Sequence, residues 1–161
     1  MSATSNLPIM PWLERLFLTE PRREGLLALV VDTAVELTGA DRGLLVLLEG
    51  PAARLHVAAA RGYDRQSLEG DDRQAWRTIV SSVLGAGVGL VTTAEQDPGP
   101  PGVASARRNH VISILCVPLP LRQGAIYLDH PFMPDAFGSD DLALLERVAD
   151  LASRALARAT D

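Results

Sequence analysis

The chain has 161 residues, of which 47% are apolar and 22% charged, a composition typical of one globular domain with a single core. Its net charge of −5 gives no general attraction to nucleic acid or anionic membranes. No uninterrupted run of about 18 apolar residues predicts a membrane span. The single cysteine, Cys116, excludes an internal disulfide and is typical of a reducing, cytoplasmic location.

The first 21 residues have only a weak pattern. Residues 1–21 are therefore expected to be an N-terminal extension or linker, with a short helix from Trp12 to Leu18 as the alternative. The folded domain is expected over residues 22–159. It should begin with a helix in "RREGLLALVVDTAVELTG", because apolar residues recur there at helical spacing and Gly39 is a plausible left-handed C-terminal cap.

The next segments predict a hairpin, a helix and a loop. "RGLLVLLEG" is a nearly continuous apolar run of strand length, and "RLHVAAARG" follows so closely that the two should pair antiparallel. A second helix is predicted from Asp71 to Leu84, and "LVTTA" reads as a brief strand. The prolines and glycines of "EQDPGPPGVASARRN" then predict an irregular loop.

The C-terminal part predicts two central strands and a long helix. "HVISILCVPLP" and "RQGAIYLD" should pair across a turn, and Ser139 is a good N-cap for the last helix. Strands joined by turns imply an antiparallel sheet, so the fold class is α+β. The terminal helices should lie on one face of the sheet, with the middle helix and the Pro/Gly loop on the other.

The last helix has two adjacent apolar stripes, whereas a surface helix normally needs one. The second stripe is the predicted dimer interface: Leu144, Val148, Leu151 and Ala155. The alternative is that both stripes pack inside one wide core. Because each buried leucine contributes roughly 1.5–3 kcal/mol, a stripe left in water would forfeit several kcal/mol of stability.

No catalytic or metal site is predicted. His56, His110 and His130 are scattered, without a carboxylate or cysteine at metal-ligand spacing. Cys116 lies inside an apolar strand run, where a small buried thiol is expected rather than a reactive one.

A ligand pocket is the remaining possibility for chemistry. Polar groups interrupt otherwise apolar strands, and others lie on the segments expected to cover the sheet. When such polar strand residues are buried, each needs a hydrogen-bonding partner, which is either a ligand or a loop backbone. The two arginines of the covering loop, Arg107 and Arg108, either bind an anionic ligand or are solvated. The candidate ligand-binding residues are Trp76, Arg107, Arg108, Ser113, Tyr127 and Asp129.

Four blocks of the chain together resemble a GAF domain, a bacterial small-molecule sensor module. They are "LLALVVDTAVELTGADRGLLVLL", "ISILCVPLP", "GAIYLDHP" and "AFGSDDLALLERVADLASRAL". The last two are most similar to GAF domains of enhancer-binding transcription activators and sensor kinases. The resemblance implies a central antiparallel sheet, a ligand between one face and the middle helices, and terminal helices that dimerise and transmit the signal.

The chain also departs from several GAF subgroups. It has no lysine for the cyclic-nucleotide signature, and its one cysteine supports neither bilin attachment nor the multi-cysteine sulfoxide reductases. The cofactor, if there is one, is therefore unknown. The leading hypothesis is a non-catalytic sensory or regulatory domain of a cytoplasmic bacterial signalling or transcription regulator, acting as a homodimer. The alternatives are a small redox enzyme using Cys116, and a ligand-free scaffold whose pocket is filled by its own side chains.

Overall fold

The computed structural model describes residues 9–63, 72–92 and 113–159. Four α-helices and five strands lie in these ranges, and none of those helices is long and apolar enough to cross a bilayer. The elements in chain order are α1 (Ile9–Thr19), α2 (Arg23–Thr38), β1 (Arg42–Glu49), β2 (Arg54–Arg61), α3 (Asp72–Ala86), β3 (Leu90–Val91), β4 (Ser113–Pro118), β5 (Gly124–His130) and α4 (Ser139–Leu156). The predicted Pro/Gly loop, with Arg107 and Arg108, lies outside the described residues.

The strands form one antiparallel sheet in the order β2-β1-β5-β4-β3. β1 pairs with β5 so that Arg42 lies opposite Asp129, and Tyr127 lies between Leu44 and Cys116 of its two neighbours. The strands run so close at the start of β5 that an added Cβ on Gly124 would collide with the Val46 backbone.

Side-chain alternation divides the sheet into two apolar layers. Leu115 and Val117 of β4 point to a cluster shared with α1, α2 and α4, whereas Ile114 and Cys116 point to a cluster shared with α3. The α+β prediction is therefore confirmed, with terminal helices on one face and the middle helix on the other.

The helix ends follow local chemistry. Gly39 ends α2 with φ +76°, so the predicted left-handed cap is confirmed. The last helix begins one step differently from the prediction, because Gly138 rather than Ser139 is the N-cap. The Gly138 backbone N–H donates to Asp141 Oδ2 at 2.9 Å. The side chain of the third helical residue thus satisfies the backbone N–H of the N-cap residue, as in half of a capping box.

The second stripe of α4 is covered by the chain itself. Leu144, Val148, Leu151 and Ala155 are all buried in the single chain. Leu13 and Phe17, one turn apart on α1, join the same apolar cluster as the last three of these residues. The expectation that one chain leaves this stripe exposed is therefore wrong, because residues 9–19 pack on it as a helix. Dimerisation itself stays a prediction, and it needs a different surface.

Candidate functional site

A buried ion pair lies on the α3 side of the sheet. Asp129, on β5, is completely buried and opposite Arg42 on β1. The Arg42 guanidinium donates to both carboxylate oxygens, Nε to Oδ1 at 2.8 Å and Nη2 to Oδ2 at 2.9 Å. This is the two-pronged geometry in which arginine binds carboxylates most strongly.

Two tyrosines complete the arrangement. Tyr63 and Tyr127 both donate their hydroxyls to Asp129 Oδ2, at 2.7 and 2.9 Å. The Arg42 guanidinium also lies over the Tyr63 ring, 4.4 Å from its centroid, as a cation–π contact. We refer to Arg42, Tyr63, Tyr127 and Asp129 as the Asp129 cluster.

The electrostatics of the Asp129 cluster keep Arg42, Tyr63 and Tyr127 in one protonation state each. Burial would lower the pKa of Arg42, but the hydrogen bonds and charge of Asp129 outweigh it and raise that pKa. Burial, together with the nearby Asp129 carboxylate, raises the pKa of both Tyr63 and Tyr127. The arginine thus stays charged and the tyrosines stay neutral hydrogen-bond donors.

Each member reaches the cluster through the sheet. Arg42 begins β1 and Asp129 lies near the end of β5, so their antiparallel register places them opposite one another. Tyr63 follows the end of β2, which pairs with β1. Sequence reasoning identified Tyr127 and Asp129 but missed Arg42 and Tyr63. The signal available in the sequence was a charged residue near the end of each of two apolar strands: Arg42 at the start of β1 and Asp129 near the end of β5.

Trp76 and Arg77 of α3 lie on the same side of the sheet. Trp76 is only 2% exposed and packs in the cluster that contains Leu44, Cys116 and Tyr127. The Arg77 guanidinium lies 5.0 Å from the centre of the Trp76 ring. Trp76 Nε1 and Arg77 Nε are buried, and neither has a hydrogen-bond acceptor among residues 9–63, 72–92 and 113–159. Within these ranges, two donors on α3 thus lack partners.

Ser113 does not join these residues. In the register of β4 and β5 it lies opposite His130, on the face that carries α4. Its hydroxyl donates to the Met133 carbonyl oxygen at 2.6 Å and accepts from the Ala136 N–H at 3.1 Å. The structure therefore brings Trp76, Tyr127 and Asp129 to one face and gives Ser113 a loop backbone as its partner.

Cys116 faces α3 but is completely buried. Burial raises the pKa of its thiol, which disfavours the thiolate that a nucleophile needs. Across the ranges that the structure describes, no three His, Cys, Asp or Glu side chains are grouped to hold a metal ion.

Comparison with known proteins identifies the fold. A family model described as "GAF domain" matches residues 22–156. No curated protein matches the chain significantly.

Solved structures share this fold at low sequence identity. The GAF domain of an Acinetobacter phosphoenolpyruvate-protein phosphotransferase has a TM-score of 0.69 at 16% identity, over 95% of this chain and 93% of its own. The free methionine-R-sulfoxide reductase of Neisseria meningitidis, solved with its substrate, has a TM-score of 0.69 at 17% identity, over 92% of this chain and 86% of its own. The GAF domain of a putative sensor histidine kinase from Pseudomonas syringae pv. tomato has a TM-score of 0.63 at 16% identity, over 95% and 88%.

Proposed function

The chain belongs to the GAF domain family, and on that premise we propose that it is a non-catalytic, small-molecule-sensing domain of a bacterial signalling or transcription regulator. The ligand lies between α3 and the sheet. The supporting observation is the charge of Asp129, which is completely buried on that face. We include a cytoplasmic location in the proposal, because the single cysteine of the chain, Cys116, is a free thiol of the kind that persists in a reducing compartment.

The Asp129 cluster supports a binding role because stability alone does not favour it. A buried ion pair contributes little net stability, and apolar residues of similar volume often replace it without loss. What the pair does supply is a fixed, polar wall. Arg42 and two tyrosine hydroxyls lock the Asp129 carboxylate in position, so a ligand would meet a surface that is already organised.

Sensing requires that the ligand layer be connected to the helices of the other layer. β5 provides this connection, since Tyr127 faces α3 while Ile126 and Leu128 face the layer of α1, α2 and α4. A ligand changes the helices only to the extent that it binds one of their arrangements more tightly.

The direct test is native mass spectrometry of the protein purified from its own host, followed by addition of any recovered molecule to the ligand-free protein. We expect a retained small molecule that raises the melting temperature and changes the association state. If nothing is retained and no compound of a metabolite library raises the melting temperature, the sensing proposal is wrong.

A ligand-free scaffold is the second candidate, and the burial of Trp76 favours it. In a scaffold, Trp76→Ala would open a cavity and cost about 3–5 kcal/mol, with no compound able to bind in the layer of the unmodified chain. In a sensor, the same substitution also weakens the response to the recovered ligand. The difference between those outcomes separates the two functions.

The redox alternative depends on Cys116. A thiol-dependent reductase needs an accessible thiolate, and burial opposes both conditions here. We expect no methionine sulfoxide reduction above background from the wild-type protein and none that Cys116→Ser removes. Activity that disappears in Cys116→Ser would establish an enzyme instead.

The proposed homodimer uses the groove between α1 and α4. This groove encloses about 600 Å³ and is lined by Pro11, Glu14, Glu146, Arg147, Asp150, Leu151 and Arg154. Leu18, which is 39% exposed, lines its continuation with Arg158. Acidic and basic side chains alternate along the α4 side of the groove. A second copy related by a two-fold axis can therefore place an acidic side chain opposite each basic one and a basic side chain opposite each acidic one.

Sedimentation velocity tests this interface. Leu18→Asp should convert the dimer to a monomer, whereas Val88→Asp should not, because Val88 is 64% exposed just beyond the end of α3 and lines neither the groove nor its continuation. Equal dissociation in both variants, or in neither, contradicts the assignment of the groove.

A further inference from the structure

Two successive residues of α3 each carry a buried donor without an acceptor. Among the residues that the structure describes, neither Trp76 Nε1 nor Arg77 Nε has an acceptor, although most buried polar groups in folded proteins have a partner. Trp76 lies in the same layer as Tyr127 of the Asp129 cluster, so this layer has a hydrogen-bonding capacity that no described residue uses.

Both groups are donors, and one of them is positively charged. The Arg77 guanidinium packs against the Trp76 ring at 5.0 Å, which holds the two groups side by side. In the described part of the chain Arg77 forms no ion pair with a carboxylate, in contrast to Arg42, whose charge is matched by Asp129. An oxyanion would suit this pair of N–H donors, because one donor belongs to a guanidinium whose charge no described carboxylate balances.

We propose that Trp76 and Arg77 form a subsite for a carboxylate or phosphate group of the ligand. The proposal rests on the proposed function, because it requires that a small molecule enter the layer between α3 and the sheet. It adds the chemical class of that molecule, which must carry an oxyanion with acceptors for both donors. A single buried water is the competing occupant.

The indole N–H of Trp76 provides a direct reporter. The chain has only two tryptophans, so a ¹⁵N-labelled sample shows two indole signals and Trp12→Phe assigns them. The probes are sodium acetate, inorganic phosphate and the neutral isostere acetamide, at constant ionic strength. We expect acetate or phosphate to shift the Trp76 indole proton downfield in a saturable way, and acetamide to leave it in place. The more effective anion identifies the group.

Variants test the two donors separately. A charge-assisted hydrogen bond is worth about 1.5–3 kcal/mol, so Arg77→Gln should weaken anion binding about tenfold or more, with Arg77→Lys intermediate. The matched control is Arg54→Gln, an exposed arginine at the start of β2. Trp76→Phe keeps an aromatic ring and removes only the donor, so it serves if Arg77→Gln does not fold.

Two results would overturn this subsite: an indole signal that no anion moves, as expected for a buried water, or one that acetamide moves equally. These results are distinct from failure of the sensing proposal. If the host ligand is neutral and binds without moving the Trp76 signal, sensing stands and the oxyanion subsite is wrong. If anions bind at Trp76 and raise the melting temperature but never alter the association state, the subsite stands and sensing is wrong.

Discussion

Removing the Asp129 carboxylate should nearly unfold the protein, and removing its partner as well should restore much of the loss. Asp129→Leu removes the acceptor that the Arg42 guanidinium shares with the Tyr63 and Tyr127 hydroxyls. Breaking a buried ion pair costs about 3–5 kcal/mol, and a stranded buried hydroxyl adds about 1–3 kcal/mol. The Arg42 side chain is 14% exposed and regains some hydration, so we expect a total near 4–6 kcal/mol. Typical net stability is about 5–15 kcal/mol.

The double variant Arg42→Met/Asp129→Leu replaces the ion pair by apolar groups. It should be about 3 kcal/mol more stable than Asp129→Leu alone, because it removes the buried guanidinium together with the carboxylate to which that guanidinium donates. Urea denaturation followed by circular dichroism measures these differences, provided that the slope of the transition is unchanged. Arg61→Met is the control, since Arg61 pairs with Glu36 at 2.9 Å but both side chains are exposed, and it should cost less than about 1 kcal/mol.

Comparison of these single and double variants also separates stability from function. If the Asp129 cluster forms the wall of a binding site, the double variant folds but loses its ligand response. The single variant Arg42→Met is measured as well. The reasoning is refuted if Asp129→Leu costs no more than Arg61→Met, or if the losses of Asp129→Leu and Arg42→Met simply add in the double variant.

Two further predictions concern α1 and alkaline pH. Phe17→Ala should cost about 3–5 kcal/mol in urea denaturation, because Phe17 is buried on α4, whereas Trp12→Ala, at a position 54% exposed, should cost far less; equal losses would contradict the packing of α1. Because the pKa values of Tyr63 and Tyr127 are raised in the folded protein, these two hydroxyls ionise near pH 10 only in the unfolded chain. The stability should therefore be unaffected by tyrosine ionisation below about pH 10 and fall above it by about 1.4 kcal/mol per pH unit for each tyrosine. Tyrosinate absorbance should then rise only together with unfolding, and a rise that precedes unfolding would show that these hydroxyls are accessible.

Local patterns were sufficient to predict the sheet and its two faces. The period of two in β4 separates Leu115 from Cys116 without reference to any other part of the chain, and the structure places them in different layers. The same period could not connect β4 with β5, because the face that two strands share depends on their register. Ser113 was therefore grouped with Tyr127, although the register sends them to opposite faces.

The Asp129 cluster shows a second limit. Arg42 and Tyr63 come together with Asp129 only because β1 lies between β2 and β5 in the sheet. Each residue is unremarkable in its own segment, as a charge at a strand end or an aromatic after a glycine. Long-range pairing, rather than any local propensity, creates the polar site, so a single sequence identifies at most its individual members.

The burial of the α4 stripe changes where an output signal must pass. The excess apolar surface of α4 is real, but Leu13 and Phe17 of α1 use it within one chain. In the proposed dimer a partner copy would meet the outer side of α1 and the charged groove beside it, where Leu151 is the stripe residue that contributes to the lining. Because α1 and α4 line that groove together, a rearrangement of α4 that follows ligand binding would reach the partner both directly and through α1. The segment expected to be a linker thus becomes one of the two elements through which the proposed dimer would respond, and Phe17→Ala should weaken the coupling between ligand binding and association even in molecules that remain folded.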